Sequence, residues 1–352
     1  SFPTLAVVPR RAIETHGDRW LLRPPVPASG PYVLESWRLQ DRLRFRRNPR
    51  YWDAANTRNQ VVDFLCMDSA TTALNLYETG RADIIWDKAL IPGELIDVLK
   101  QRPDCHAFDY LGTFFLRFNV TRPPFHDARV RRALALAIDK RRIVGRITRG
   151  GEKVADHFTP DGIARYTPPA GLSYDPNAAR RLLAEAGYPG GRDFRSFQYL
   201  LTNPRVEQQI AVELQAMWQS ELGIRAELRQ NEMKVYQAAQ NALDYDISRS
   251  SWIGDYNDPN TFLELWTSGN GNNRTGWKNS RYDQWLREAN EQSNPHRRAA
   301  LLAQAETLLI REEVPIVPIY FYAGINFLDT NKIEGVTFNL LDEHPIQVIR
   351  KK

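Results

Sequence analysis

The sequence predicts an α/β fold. Short runs with strand character alternate with helical runs along nearly the whole chain, the pattern of layered α/β structures. Two long apolar extended runs, HAFDYLGTFFLRFN at 106–119 and VPIVPIYFYAGINF at 314–327, flank a large α/β block. Extended runs before and after such a block predict a discontinuous domain. Residues 1–109 and 320–352 then form one lobe, and residues 110–319 are inserted as the second. Two crossing strands of this kind make a hinge, and the cleft beside a hinge is a common ligand site.

The elements follow in order. After an irregular lead-in with a short helix over 10–17, residues 30–37 read as a strand. Residues 41–48 alternate apolar and charged positions, the mark of a half-buried strand. Residues 61–66 are a third strand. Ser69 then caps a helix that Gly80 stops. A short strand over 82–86 and a helix over 92–100 lead into the first apolar run. Asp127 caps one continuous helix over 125–146, with Val130, Leu134, Ala137, Ile138, Ile143 and Val144 at helical spacing. Asp175 caps a helix over 176–186 that ends at Gly187. Strands over 194–201 and 224–229 alternate with helices over 206–222 and 234–241. A strand beginning at Asp246 leads to a polar turn. Helices over 281–293 and 296–313 precede the second apolar run. The tail returns as edge strands at 336–340 and 347–349.

With 352 residues, the chain can bury the cores of two domains. Its net charge is +5, with Arg far outnumbering Lys and acids interspersed among the bases, so no nucleic-acid partner is expected. The densest basic cluster, Arg129 to Arg146, reads as the solvated side of a helix. Cys66 and Cys105 lack any CxxC partner, which excludes a cysteine-based zinc site. A single disulfide and two free thiols both remain open for them. Six scattered histidines include no HExxH, and His126 and His157 read as ordinary loop histidines. No metal or other cofactor is expected. No window is apolar enough for a membrane span.

The stretch Tyr245–Trp277, YDISRSSWIGDYNDPNTFLELWTSGNGNNRTGW, concentrates the functional candidates. Asp255 sits on a Gly-flanked turn at the tip of a strand and beside Trp252, an arrangement suited to a cationic group. The competing reading is a polar loop whose aromatics pack on the domain and whose Asp caps a helix over 261–266.

Four segments carry a family resemblance. GPYVLESWRLQDRLRFRRNPRYWD, PPFHDARVRRALALAIDKRRIV, ARRLLAEAGYPGG and EEVPIVPIYFY are similar, in order, to signature segments of the extracytoplasmic solute-binding proteins of peptide ABC importers (family 5). SSWIGDYNDPNTFL resembles the ligand loop of the oligopeptide-binding subgroup. The resemblance implies a periplasmic-binding-protein-like fold of the class II type, two lobes joined by two crossover strands. It also implies a first lobe that lacks the family's N-terminal part. The implied function is non-covalent binding of short peptides in an interlobe cleft and delivery to the membrane permease of an ABC importer. The implied setting is periplasmic or extracytoplasmic, with the protein a monomer.

The resemblance also assigns roles. Asp255 falls where the loop aspartate holds the ligand's α-ammonium. Trp252 matches a pocket tryptophan, and Arg249 an arginine that can meet a peptide carboxylate. The main chain of Ser251, Ile253 and Gly254 can pair with an extended peptide as an added strand, with Tyr256 beside it. Met233, Glu207 and Arg117 stand at pocket positions where relatives carry tryptophan, histidine and a carboxylate. From the residues alone, a salt bridge from Arg249 to Asp246 or Asp244, and simple core packing of Trp252, stay open. Two other functions compete: a truncated paralogue acting as a scaffold or sensor, and a carboxylate-based hydrolase using Asp255 with Asp258 or Glu264. The spacing singles out no carboxylate pair of the kind glycosidases need.

Overall fold

The computed structural model describes residues 7–163 and 165–352. Two compact units are present: Ser1–Phe108 with Gly324–Lys352, and Asp109–Ala323.

The first unit opens with helix α1 (Arg10–His16) and the antiparallel strands β1 (Tyr32–Arg38), β2 (Arg42–Arg47) and β3 (Val61–Leu65), in the order β1-β2-β3. The alternating charges of β2 have partners on both neighbours. Arg46 pairs with Glu35, and Arg44 with Asp63 at 2.7 Å. Helix α2 (Ala70–Glu78) starts where expected, the Ser69 hydroxyl accepting the Thr72 N–H at 3.2 Å. Strand β4 (Ile84–Ile85) and helix α3 (Ile96–Leu99) follow. Leu74, Ile85, Ile96 and Leu99 form this unit's core with Ile325 and Phe327. Both cysteines are free and half-buried.

Strand β5 (Cys105–Phe118) carries the chain into the second unit. The single helix expected over 125–146 is instead two: α4 (Ala128–Leu136) and α5 (Lys140–Ile143), the latter running on into a π-helical turn over Val144–Thr148. Asp127 caps the first as expected, and the Asp139 carboxylate accepts the Arg142 N–H to start the second. A capping carboxylate inside an apolar repeat does not disturb the repeat, so periodicity hid the break. The basic side is also not wholly solvated. Arg131, 2% exposed, donates to the carbonyls of Phe125, His126, Glu313 and Val314. Buried Lys140 donates to the Ala155 carbonyl at 2.8 Å.

Next come β6 (Lys153–Val154), α6 (Pro176–Glu185), β7 (Phe197–Leu201), α7 (Arg205–Leu222), β8 (Ala226–Gln230), α8 (Met233–Asn241) and β9 (Ile247–Ile253). Helices α9 (Asn260–Leu263), α10 (Ser280–Glu291) and α11 (Pro295–Thr307) lead to β10 (Ile316–Leu328). The second unit's sheet has the order β10-β5-β9-β7-β8, with β6 against β10 at Tyr320 and Phe321. β9 runs antiparallel to β5, while β7 runs parallel to both β8 and β9. Its core gathers Phe114, Leu116 and Phe118 from β5, Leu134 and Ile138 beside them, and Trp218 from α7. Trp218 is fully buried, and its indole N–H is satisfied by the Leu134 carbonyl at 3.1 Å.

β10 returns the chain to the first unit, where Phe327 and Leu328 pair with Ile85 and Ile84 of β4. The tail departs from expectation. Residues 336–340 and 347–349 are not strands; β11 (Ile333–Glu334) and β12 (Arg350–Lys351) pair instead. Phe338 and Val348 are exposed, so the apolar pattern read there as strand has no sheet to join.

Candidate functional site

β9 and the turn after it bring most of the predicted residues together. The strand expected from Asp246 extends beyond Arg249. It runs through Ile253, in register with β5 from Phe118↔Ile247 to Gly112↔Ile253. Hydrogen bonds fix which way its main chain faces. The Asn119 N–H donates to the Asp246 carbonyl at 2.9 Å, and the Gly254 N–H to the Leu111 carbonyl at 2.7 Å. Even-numbered residues of β9 therefore turn their main-chain groups to β5, and Arg249, Ser251 and Ile253 turn theirs to the other edge.

On that edge β7 reaches only Ile247 and Ser248. The Arg249 carbonyl is taken by the Tyr236 hydroxyl at 2.5 Å and by Gln240 Nε2 at 3.2 Å. Beyond it, among the described residues, no strand pairs with Ser251 and Ile253. Two N–H and two C=O groups are thus left on an open strand edge, the arrangement that accepts an extended segment as a further strand. Ser251 is half-buried and Ile253 exposed.

The turn is tightly held. Gly254 is buried, and a Cβ there would lie 2.7 Å from Leu111 Cδ2 and 3.0 Å from Phe262 Cε2, which explains its glycine. The Asp255 N–H donates to Thr261 Oγ1 at 3.0 Å, while the Asp255 side chain is exposed and has no ion pair among the described residues. Asp255 therefore does not cap the following helix. The Asp258 carboxylate accepts the Asn260 N–H at 2.9 Å and forms a two-pronged ion pair with Arg298 at 2.7 and 2.8 Å. Glu264 accepts from Asn260 Nδ2 at 2.9 Å, and the Tyr256 hydroxyl lies 3.4 Å from its other oxygen. Burial first, and Glu264 second, raise the Tyr256 phenol above its ordinary pKa. Asp258 and Glu264 are thus engaged in holding the turn, which weighs against their serving as half of a hydrolytic pair with Asp255.

Side chains alternate along β9. Arg249 falls on the face of Leu116 and Phe114, its guanidinium over the Phe114 ring at 5.5 Å and the Tyr236 ring at 5.9 Å. Its ionic partner is neither Asp246 nor Asp244. It pairs with Glu207 in the first turn of α7, whose other oxygen accepts from the Thr202 hydroxyl. Asp246 is held by Arg195 at 2.7 Å, and Asp244 by Arg229 at 2.9 Å and Arg122 at 3.2 Å.

Trp252 lies on the opposite face, opposite Thr113 and half-buried, with its indole N–H sealed from solvent and without an acceptor. Arg117, expected among the ligand contacts, is not presented to one. It is 3% exposed, stacked at 5.0 Å over Trp266 and 5.3 Å over Phe115, and bonded to Ser250 Oγ at 3.0 Å and the Asn272 carbonyl at 2.5 Å. Burial pulls its pKa down to about 10. Met233 is exposed at the start of α8, the helix that carries Tyr236 and Gln240 to the Arg249 carbonyl.

Thr261, Tyr236 and Gln240 were not anticipated. Polar residues holding main-chain groups carry no spacing signature of their own. No group of three His, Cys, Asp or Glu among the described residues is placed to hold a metal ion, and no helix there is long and apolar enough to cross a membrane.

Comparison with known proteins identifies the fold and the family. The chain is 32% identical to the "Probable deoxycholate-binding periplasmic protein YgiS" of Escherichia coli K12, over 93% of this chain and 62% of that protein. It is 30% identical to the periplasmic oligopeptide-binding protein OppA of Salmonella typhimurium, over 92% of this chain and 60% of that one. The chain thus spans about three fifths of the length of these relatives. The solved structure of the murein tripeptide binding protein MppA of Escherichia coli superposes with a TM-score of 0.84 at 31% identity, covering 98% of this chain and 68% of that one. The fold is therefore α/β and periplasmic-binding-protein-like. Residues 1–274 match the model described as "Bacterial extracellular solute-binding proteins, family 5 Middle", and the chain belongs to that family.

Proposed function

We propose that the chain binds short peptides non-covalently along the open edge of β9, with the ligand's α-ammonium on Asp255, as the receptor that delivers them to the permease of an ABC importer outside the cytoplasm. The observation that carries this is an exposed, unpaired carboxylate at the end of a strand whose Ser251 and Ile253 main-chain groups are unengaged. Main-chain pairing gives affinity that does not depend on ligand sequence, and Trp252, Tyr256 and Met233 are side chains that varied residues can pack against. An ammonium–carboxylate hydrogen bond is worth about 1.5–3 kcal/mol where water is excluded. In open solvent the same pair is worth less than about 1 kcal/mol.

The relatives favour this reading by what their names say they bind: oligopeptides and a murein tripeptide. One relative is named for deoxycholate, a carboxylated steroid. The turn here offers the carboxylate of Asp255, and Arg249 on the same strand is already paired with Glu207, which favours a cationic ligand end over an anionic one. Calorimetric titration with alanine tri-, tetra- and pentapeptides tests the proposal. Saturable binding is expected, and folded protein that binds none of them would refute it.

A further inference from the structure

The Arg249–Glu207 pair decides what the other end of a ligand can be. Arg249 is the arginine beside the open edge of β9, its own carbonyl the last one on that edge to be occupied within the protein. An arginine there would ordinarily invite a carboxylate, since its planar fork matches one. Here one arm of the fork, Nη2, is already held within the protein, and its charge is balanced there. Glu207 takes Nη2 on one oxygen and the Thr202 hydroxyl on the other. Glu207 is 5% exposed and Thr202 2%. The guanidinium lies 5.5 Å from the Phe114 ring and 5.9 Å from the Tyr236 ring, contacts that a swing to a new partner would give up. Position three of α7 also favours a negative charge, because the first-turn N–H groups of a helix carry partial positive charge. The pair has no net charge, and a ligand carboxylate approaching Arg249 meets the Glu207 carboxylate at the same fork.

We infer that Glu207 is a specificity-determining residue that closes the Arg249 position to ligand carboxylates, so that the chain takes peptides whose charge requirement is confined to their amino end. Peptides with free, amidated or otherwise uncharged carboxyl ends bind alike. This rests on the peptide-binding reading above and adds the class of ligand to it. Arg249 keeps a structural role: its charge is balanced by Glu207, and its carbonyl anchors Tyr236 and Gln240.

The test compares alanine tri-, tetra- and pentapeptides as free acids and as carboxyl-terminal amides, by calorimetry, on the native protein and on Glu207→Gln. The glutamine keeps the size and an acceptor for Thr202, and a thermal melt reports whether the variant is folded. The native protein is expected to bind acid and amide within about twofold of each other, and Glu207→Gln to favour the acid by about tenfold. A native preference for the acid of about tenfold overturns the inference with no variant needed, while leaving peptide binding intact. A folded Glu207→Gln with no acid preference also overturns it. Binding of no peptide in any form overturns the peptide-binding reading itself, and the inference falls with it.

Discussion

The main-chain N–H of Asp255 donates to Thr261 Oγ1 at 3.0 Å, and this bond holds the turn that presents the Asp255 carboxylate. Thr261 is 1% exposed, so its hydroxyl has no water to replace the contact. Replacing it by the nearly isosteric valine removes the acceptor of the Asp255 N–H, a loss of about 0.5–1.5 kcal/mol of local stability. Thr261→Val is expected to bind peptide severalfold more weakly while β9 and its register with β5 persist. Calorimetry, with hydrogen exchange at Asp255, measures both. Unchanged affinity would mean that the turn does not depend on this bond.

Gly254 is limited by space. Leu111 and Phe262 are fully buried, so neither can readily yield to a Cβ placed 2.7 and 3.0 Å from their atoms. Gly254→Ala is expected to lower stability by about 1–3 kcal/mol, in the range of other overpacked sites. It should also shift the turn enough to weaken peptide binding. A thermal melt and a titration on the same sample check this, and a variant matching the native protein in both would contradict it.

How far the site could be read in advance depended on the kind of signal each residue carries. Asp255, Trp252 and Gly254 stood out because an Asp on a glycine turn after a strand is a local pattern. The extent of β9 was harder. Its residues after Arg249 are Ser, Ser and Trp, which alternate too weakly to announce a strand, and their pairing with residues 112–114 lies far away in sequence. The partner of Arg249 carried no signal in the sequence for the same reason. Asp246 and Asp244 are neighbours in sequence, but alternation along the strand and the start of α7 bring Glu207 to it instead. Arg117 and Arg131 show a further limit. A buried arginine whose carbonyl partners come from distant loops looks, residue by residue, like a surface one. The α/β alternation and the two long strands were legible because apolar periodicity is a property of each element by itself.

Lys140 gives a pH test of the second unit's core. Burial pulls its ammonium from 10.5 down to about 8, with Asp156 opposing more weakly. Between these two values the unfolded chain binds more protons at this site than the folded one. The contribution of Lys140 is therefore fully favourable above 10.5 and is lost as pH falls through about 8, with a slope up to about 1.4 kcal/mol per pH unit. Urea denaturation of the native protein and of Lys140→Met from neutral pH to about 9.5 isolates this site, because other titrations are common to both. The native protein should gain roughly 1–2 kcal/mol on the variant across that range. Parallel curves would contradict it.

The most direct measurement of the central claim is a four-way titration. A pentapeptide and its N-acetyl form are each titrated into the native protein and into Asp255→Asn. If Asp255 holds the α-ammonium, acetylation weakens binding to the native protein by about 1.5–3 kcal/mol, tenfold or more, and Asp255→Asn binds both peptides equally and weakly. A native protein that binds the acetylated peptide as tightly as the free one, or an Asp255→Asn variant that keeps the preference, would contradict it.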